Sequence, residues 1–316
     1  SYDLSILAGI TARIKIIGGM DIAEKRKPQD GRITIMVDRR EFDVRVSILP
    51  TVFGEKTVMR LTSKDGLTKP KSALGFDAEQ EKVFDNILSN PHGIILVTGP
   101  TGSGKSTTLY TSLSELNTED VNIITVEDPV EANINGINQV QVNNKADMTF
   151  AAALRSILRQ DPDIIMIGEI RDGETAGIAV QAAITGHLVV STLHTNSAAS
   201  TITRLIDMGI ESYIAGDAVV GVIAQRLVRR LCTTCKQPRL VEDEERVQLG
   251  IPADEEDVII YEPQGCPLCN DTGYAGRIGV YEMMPVSREL QAVIASGATA
   301  DVIEKQALKE GMLTLK

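Results

Sequence analysis

The sequence predicts an α/β protein: a mostly parallel, doubly wound sheet, with a small α+β domain before it and a cysteine-bearing module and helices after it. Three observations predict this. From residue 94 onward, short apolar runs (IILVTG, NIITVED, DIIMIGE, HLVVSTLH) recur with helical segments between them, as buried parallel strands do. Residues 1–62 instead alternate apolar and polar positions, the mark of half-buried strands. All four Cys then fall within residues 232–275, among Pro, Gly and acidic residues.

Taken in order, residues 3–19 read as a helix followed by a strand. RITIMVDRR, EFDVRVSILP and KTVMRL read as further strands, with turns at PQDG and FGE. The stretch Thr62–Leu74 is polar, contains Gly and Pro, and reads as a linker. Residues 77–89 look helical, and helix returns over 286–316. The expected organisation is a first domain over 1–62, a linker over 63–74, a nucleotide-binding core over 75–231, a tetracysteine module over 232–275 and a C-terminal helical subdomain over 276–316. A chain of 316 residues with 43% hydrophobic content is long enough for more than one core.

Charge and hydropathy narrow the function. No apolar run approaches the ~18 residues that cross a bilayer. The start, SYDLSILAG, lacks a basic segment and an apolar signal core, so a cytosolic protein is expected. It begins at Ser1 rather than Met, as a piece of a longer protein would. Net charge is −11, split between a basic start (14 Lys/Arg against 9 Asp/Glu over residues 1–73) and an acidic remainder (18 against 34). An acidic body argues against a dedicated nucleic-acid binder.

Residues 94–109 read IILVTGPTGSGKSTTL. Within them Gly99, Pro100, Thr101, Gly102, Ser103, Gly104, Lys105 and Ser106 fit G-x-x-x-x-G-K-[ST], with Thr107 next. An apolar strand enters, glycines turn backbone N–H groups inward, and a helix starts at the loop's end. That arrangement attracts phosphate. Lys105 is expected at the β- and γ-phosphates of ATP and Ser106 on Mg²⁺.

Two acidic strand ends follow, Glu127 with Asp128 in ITVEDPVE, and Glu169 in DIIMIGEIRD. Ligands of open parallel sheets bind at the carboxyl ends of strands, so both are expected beside the phosphate loop. One such acid alone is usually a solvated loop residue. Two in this order after a phosphate loop point to a carboxylate that holds Mg²⁺ through water or orients the attacking water. His187 and His194 bracket LVVSTL. His194, at the carboxyl end, stands where a γ-phosphate sensor sits, whereas His187 suits a structural place. Arg155 and Arg159 lie four apart on an expected helix and would share a face. Surface arginine is the default reading for these and for Arg45 and Arg60, although ring ATPases commonly supply arginines to the transferring phosphate.

Cys232-Thr-Thr-Cys235 and Cys266-Pro-Leu-Cys269 form two C-x-x-C knuckles, enough thiolates to close the coordination sphere of a structural Zn²⁺. Their spacer exceeds the usual length, so a loop or helix must be inserted between them.

Together these segments resemble the assembly ATPases of type II secretion and type IV pili, over essentially the whole chain. RIKIIGGMDIAEKRKPQDGRI is similar to that family's second N-terminal domain, which is PAS-like. RVSILPTVFGEKTVMRL matches the segment carrying two arginine contacts, at Arg45 and Arg60. GPTGSGKSTTLY matches its Walker A box, ITVEDPVE its Asp box with Glu127 and Asp128, and LRSILRQDPDIIMIGEIRD its Walker B region, with Arg155, Arg159, Arg171 and the catalytic glutamate at Glu169. TGHLVVSTLHTN matches its His box. The resemblance implies a RecA-like core in a cytoplasmic homo-hexamer, peripheral at the inner face of the bacterial cytoplasmic membrane. It implies ATP, Mg²⁺ and Zn²⁺ as ligands, and a membrane platform protein and a recruiting protein as partners. No nucleic-acid partner is expected. Retraction ATPases of the family lack the tetracysteine module, so its presence favours assembly or secretion. Family members carry a further N-terminal domain that docks on the recruiting protein; none is visible here. The alternatives are a nucleic-acid translocase or conjugation-type motor on the same core, a retraction ATPase, and a non-hydrolysing nucleotide switch.

Overall fold

The computed structural model describes residues 6–38, 40–63, 68–252, 255 and 257–315. They fall into two compact units. One holds the described residues up to Lys69 together with Glu131–Ile134; the other holds Pro70–Val130 and the chain from Asn135 onward.

The first unit is a helix, α1 (Leu7–Ile17), and an antiparallel sheet β1 (Gln29–Val37), β2 (Arg40–Thr51), β3 (Gly54–Ser63), in that order. Alternation along β2 buries Val44, Val46 and Ile48 on one face, where Ile33 of β1, Ile14 of α1 and Met20 pack. On the other face Arg32, Arg45 and Arg60 stand in one cross-strand row. Such a row of like charges is costly unless compensated. Arg32 pairs with Asp43 at 2.5 Å and Arg45 with Glu131. Two expectations shift. The residues between α1 and β1 form no strand, and Gln29–Gly31 of the expected PQDG turn are already in β1. The reversal falls instead after Val37, where Asp38 adopts φ 50. Asp is among the few side chains that tolerate this conformation, but the continuous alternation through RITIMVDRR concealed the turn. Residues 64–67 of the expected linker lie outside the described residues.

The second unit begins with α2 (Ala78–Leu88), capped by Asp77, whose carboxylate accepts from the Glu79 and Gln80 N–H groups. Then come β4 (Gly93–Thr98), α3 (Lys105–Leu116), β5 (Ile123–Glu127), β6 (Asn138–Gln141), α4 (Phe150–Ile157), β7 (Ile164–Ile167), α5 (Gly173–Ile184), β8 (Leu188–Leu193), α6 (Ala198–Asp207), α7 (Ser212–Ala218) and β9 (Val219–Leu231). After the excursion of β10 (Gln237–Leu240), α8 (Asp243–Leu249) and β11 (Ile259–Glu262), the chain returns as β12 (Tyr274–Pro285) and ends in α9 (Arg288–Ala295) and α10 (Ala300–Lys309). The main sheet runs β12-β9-β4-β8-β7-β5-β6. All its pairs are parallel except β12–β9. Every residue of β4, β5, β7 and β8 is buried, which explains runs that are continuously apolar rather than alternating. Among the described residues no helix is long and apolar enough to cross a membrane.

Three strands of this sheet are not evident from the sequence. β6 is NQVQ, short and polar at the sheet edge. β9 and β12 exceed the length of the core strands; their inner halves complete the sheet and their outer halves leave it as a two-stranded arm. Residues 276–285, grouped above with the C-terminal helices, are therefore strand. A charged residue inside β12 obscured it. Glu282 is only 3% exposed. Its Oε1 accepts the Ala198 N–H at the start of α6 at 2.6 Å and its Oε2 the Leu315 N–H at 3.3 Å. The carboxylate thus satisfies a helix N-terminus and the Leu315 N–H in the extended segment after α10.

Replacing Glu282 with Ala leaves the buried Ala198 N–H without its acceptor. We expect the free energy of unfolding to fall by about 1–3 kcal/mol, read by urea denaturation followed by circular dichroism.

Candidate functional site

β4 delivers the chain at Thr98 to the carboxyl edge of the sheet, and α3 carries it back. Between them Gly99 has φ 147, and a Cβ there would lie 2.5 Å from the Gln225 carbonyl and 2.6 Å from Ser103 Oγ. Only glycine allows the loop to lie this close to β9. Gly104 has φ 93 and starts α3 without a side-chain cap, so its first N–H groups point into the loop. Ser103 Oγ is buried and has no hydrogen-bond partner among the described residues. Lys105 Nζ donates to the Gly99 carbonyl at 2.9 Å and to the Pro100 carbonyl at 3.2 Å. Burial pushes its ammonium below the ordinary lysine range; Glu169 opposes the shift and Arg226 adds to it. A glycine cradle, an uncapped helix start, an orphaned hydroxyl and a half-buried lysine fit a polyphosphate, with the partly exposed end of the loop at Ser106 and Thr107 available to its metal.

Gln225, 1% exposed on β9, holds this loop from below. Its Nε2 donates to the Ser103 carbonyl and its Oε1 accepts from Thr108 Oγ1, both at 2.8 Å. Thr98 Oγ1 contacts Thr195 Oγ1 at 2.6 Å, tying the end of β4 to the loop after β8. Neither residue was singled out from the sequence. The one available signal for Gln225 was a lone amide inside the apolar run of β9.

The structure gathers Glu169, His194, Arg171 and Asp128 beyond the ends of β5, β7 and β8. Glu169 pairs with Arg171 and lies 3.1 Å from His194 Nε2, while Arg171 stands 3.7 Å from Asp128. Burial alone would raise the Glu169 carboxyl, but the hydrogen bonds from Arg171 and His194 outweigh it and hold the group below its ordinary value. Glu127 differs from the expectation that both acids face the loop. It is 4% exposed. Its carboxylate accepts from the Tyr110 hydroxyl, from Thr125 Oγ1 at 2.6 Å and from Gln139 Nε2 at 3.1 Å. Glu127 thus ties α3 to the sheet. Being the last residue of β5 rather than the first beyond it turns its side chain into the fold.

The remaining arginines have other partners. Helix α4 stops at Ile157, so Arg159 lies in the turn just beyond it rather than on the helix. Arg155 pairs with Glu174 at 2.5 Å, and Arg159 donates to the Arg155 carbonyl at 2.7 Å. Arg45, joined to Glu131, and Arg60 belong to the sheet of the first unit. His187 Nδ1 is 2.9 Å from the Ala182 carbonyl, a structural contact.

At the far end of the β9–β12 arm the four cysteines converge. Their sulfurs all lie within 4.8 Å of one another. Cys232–Cys266, Cys235–Cys269 and Cys266–Cys269 are 3.9, 3.8 and 3.7 Å apart. A tetrahedron of thiolates ~2.3 Å from a zinc ion has edges of about 3.8 Å, so the spacing fits zinc and is far longer than a disulfide bond. Burial pushes the Cys269 thiol up, but N–H groups of Cys266 and Gly273, each 3.2 Å from its sulfur, bring it down to about 6. The spacer between the knuckles holds both a helix, α8, and the β10–β11 pair, stapled by Arg239 to Glu245 at 2.5 Å and Glu262 at 3.1 Å. Residues 253, 254 and 256 of its acidic stretch lie outside the described residues.

Comparison with known proteins agrees with this geometry. A family described as type II/IV secretion system protein matches residues 1–316. A type II secretion system protein E from Pectobacterium carotovorum subsp. carotovorum is 53% identical over 285 residues, covering 90% of this chain and 57% of that protein. The type IV pilus assembly ATPase PilB of Myxococcus xanthus is 52% identical over 310 residues, covering 97% of this chain and 55% of its own length. The chain thus spans little more than half the length of the curated relatives it matches. Among solved structures, the pilus retraction motor PilT with bound ADP superimposes with a TM-score of 0.61 at 27% identity, over 96% of this chain and 78% of that one.

The cysteine geometry predicts a metal-dependent module. Native mass spectrometry of the purified chain should show zinc bound, and Cys269→Ser should lose it. Chelation should melt the β10–β11 module while the main core keeps its thermal transition.

Proposed function

The chain belongs to the type II/IV secretion system protein family, and from that premise we propose that it hydrolyses ATP as one subunit of a homo-hexameric ring driving pilus or pseudopilus assembly. The ring acts in the cytoplasm at the inner face of the bacterial membrane, where a platform protein takes up the motion and a recruiting protein holds the ring in place. What carries the reading is the convergence, at one sheet edge, of a complete phosphate loop with Lys105 and a strand-end carboxylate, Glu169, set by His194 and Arg171.

The residues divide the work by their environments. The N–H groups at the start of α3 and the Lys105 ammonium receive the β- and γ-phosphates, and their charge meets the charge that builds on the departing phosphoryl group. Ser106 would hold Mg²⁺, which would neutralise phosphate charge. Glu169 stays ionised, because the hydrogen bonds from Arg171 and His194 favour the carboxylate. It is therefore a better hydrogen-bond acceptor for the attacking water than a proton sink. Water oxygen bonds to the γ-phosphorus and gives one proton to a γ-phosphoryl oxygen, the bond to the β,γ-bridging oxygen breaks, and ADP leaves with that oxygen. His194, half-exposed beside Glu169, completes the wall that faces the γ-phosphate. Glu127 keeps Tyr110 and α3 in place. The cysteine module is a structural zinc ribbon on the arm of β9 and β12.

Glu169→Gln should retain ATP while phosphate release falls by about a hundredfold or more. Normal turnover in that variant would remove Glu169 from the reaction.

A further inference from the structure

Resting on the reading of this site as an ATPase centre, we propose that Arg226 is a γ-phosphate-contacting arginine supplied by the same subunit, and that it relays the phosphate's presence to the loop bearing His194. Arg226 follows Gln225 on β9, partly buried. Its Nη1 donates to the Gln225 carbonyl at 3.0 Å, and its Nη2 to the Asn196 carbonyl at 2.9 Å and to Asn196 Oδ1 at 3.3 Å. All its acceptors are neutral. Among the described residues no carboxylate pairs with it, in contrast to Arg171, Arg155, Arg45 and Arg32. It is also close enough to Lys105 to act on that ammonium.

Two cations held together at the mouth of a phosphate loop, with only one carboxylate, Glu169, acting on Lys105, leave positive charge that a polyphosphate would satisfy. The guanidinium fork has N–H groups beyond those used on Gln225 and Asn196. The position selects the γ-phosphate. Asn196 lies two residues after His194, which contacts Glu169, and Thr195 between them is tied to Thr98 at the end of β4. One side chain thus touches the strand beneath the phosphate loop and the loop that carries the wall of the hydrolytic site. When the guanidinium turns toward a phosphate oxygen, its hold on Asn196 changes, and the His194 loop senses the change. This makes Arg226 a contact in cis, distinct from arginines brought by another domain or subunit.

The test uses the full chain with Arg226→Gln, Arg226→Lys and, as a control on the same strand, Arg229→Gln, whose parent guanidinium lies over the Tyr274 ring at 3.9 Å in the arm. Affinities for ATP and ADP are measured by displacement of a fluorescent nucleotide, and turnover by phosphate release, with thermal melts confirming folding. We expect Arg226→Gln to weaken ATP binding by about tenfold or more while ADP binding stays within about twofold. Arg226→Lys should restore part of the loss, and Arg229→Gln should match the parent. Equal losses for ATP and ADP, or no loss for either, would overturn the assignment, as would a folding defect in Arg226→Gln that Arg226→Lys does not relieve. Failure of the parent chain itself to hydrolyse ATP would instead overturn the ATPase reading, so the two failures are separable.

Discussion

The structure depends on the close approach of the phosphate loop to strand β9. Gly99 passes where no Cβ fits, because the Gln225 carbonyl would stand 2.5 Å from it. Gln225 then secures the loop from two sides, through the Ser103 carbonyl and the Thr108 hydroxyl. A buried amide with both ends satisfied stabilises a single geometry, whereas the same amide left half-bonded would disfavour it. The loop's inward N–H groups, the start of α3 and the place of Lys105 all follow from this contact.

Burial sorts the two strand-end acids. Glu127 and Glu169 follow apolar strands in similar sequence settings, and a single residue of offset separates their fates. Glu127 is still within β5, and three neutral donors hold its carboxylate in the fold. Glu169 lies beyond the end of β7, after Gly168, and meets Arg171 and His194 at the edge of the cleft. Desolvation opposes the charge on Glu169, and the hydrogen bonds from Arg171 and His194 more than offset it. The result is a carboxylate that stays ionised while half-enclosed, suited to orienting water.

Strand β9 joins the two chemical centres of the second unit. Its inner half borders the phosphate loop through Gln225, and its outer half leads, with β12, to the four sulfurs. The cysteines close the tip of a two-stranded arm too small to build a core of its own, which is where a metal contributes most to stability. β12 then returns to the sheet and uses Glu282 to hold α6 and the end of the chain. Arm, sheet and C-terminal helices are thereby one continuous construction.

Features set by local pattern could be read from the residues alone. Four continuously apolar runs marked β4, β5, β7 and β8, because strands buried on both faces have no polar alternation. G-x-x-x-x-G-K-S marked the loop, since its glycines are required by backbone conformation. Paired C-x-x-C knuckles marked the cysteine centre. Features set by contacts distant along the chain emerged with the packed fold. It turned Glu127 inward and Glu169 outward, paired Arg155 with Glu174, put β12 in the main sheet, and brought Gln225 to a loop more than a hundred residues earlier. The physical reason is that a polar side chain in a strand reads the same in sequence whether it is solvated or saturated by partners. Its role depends on which groups the fold packs around it.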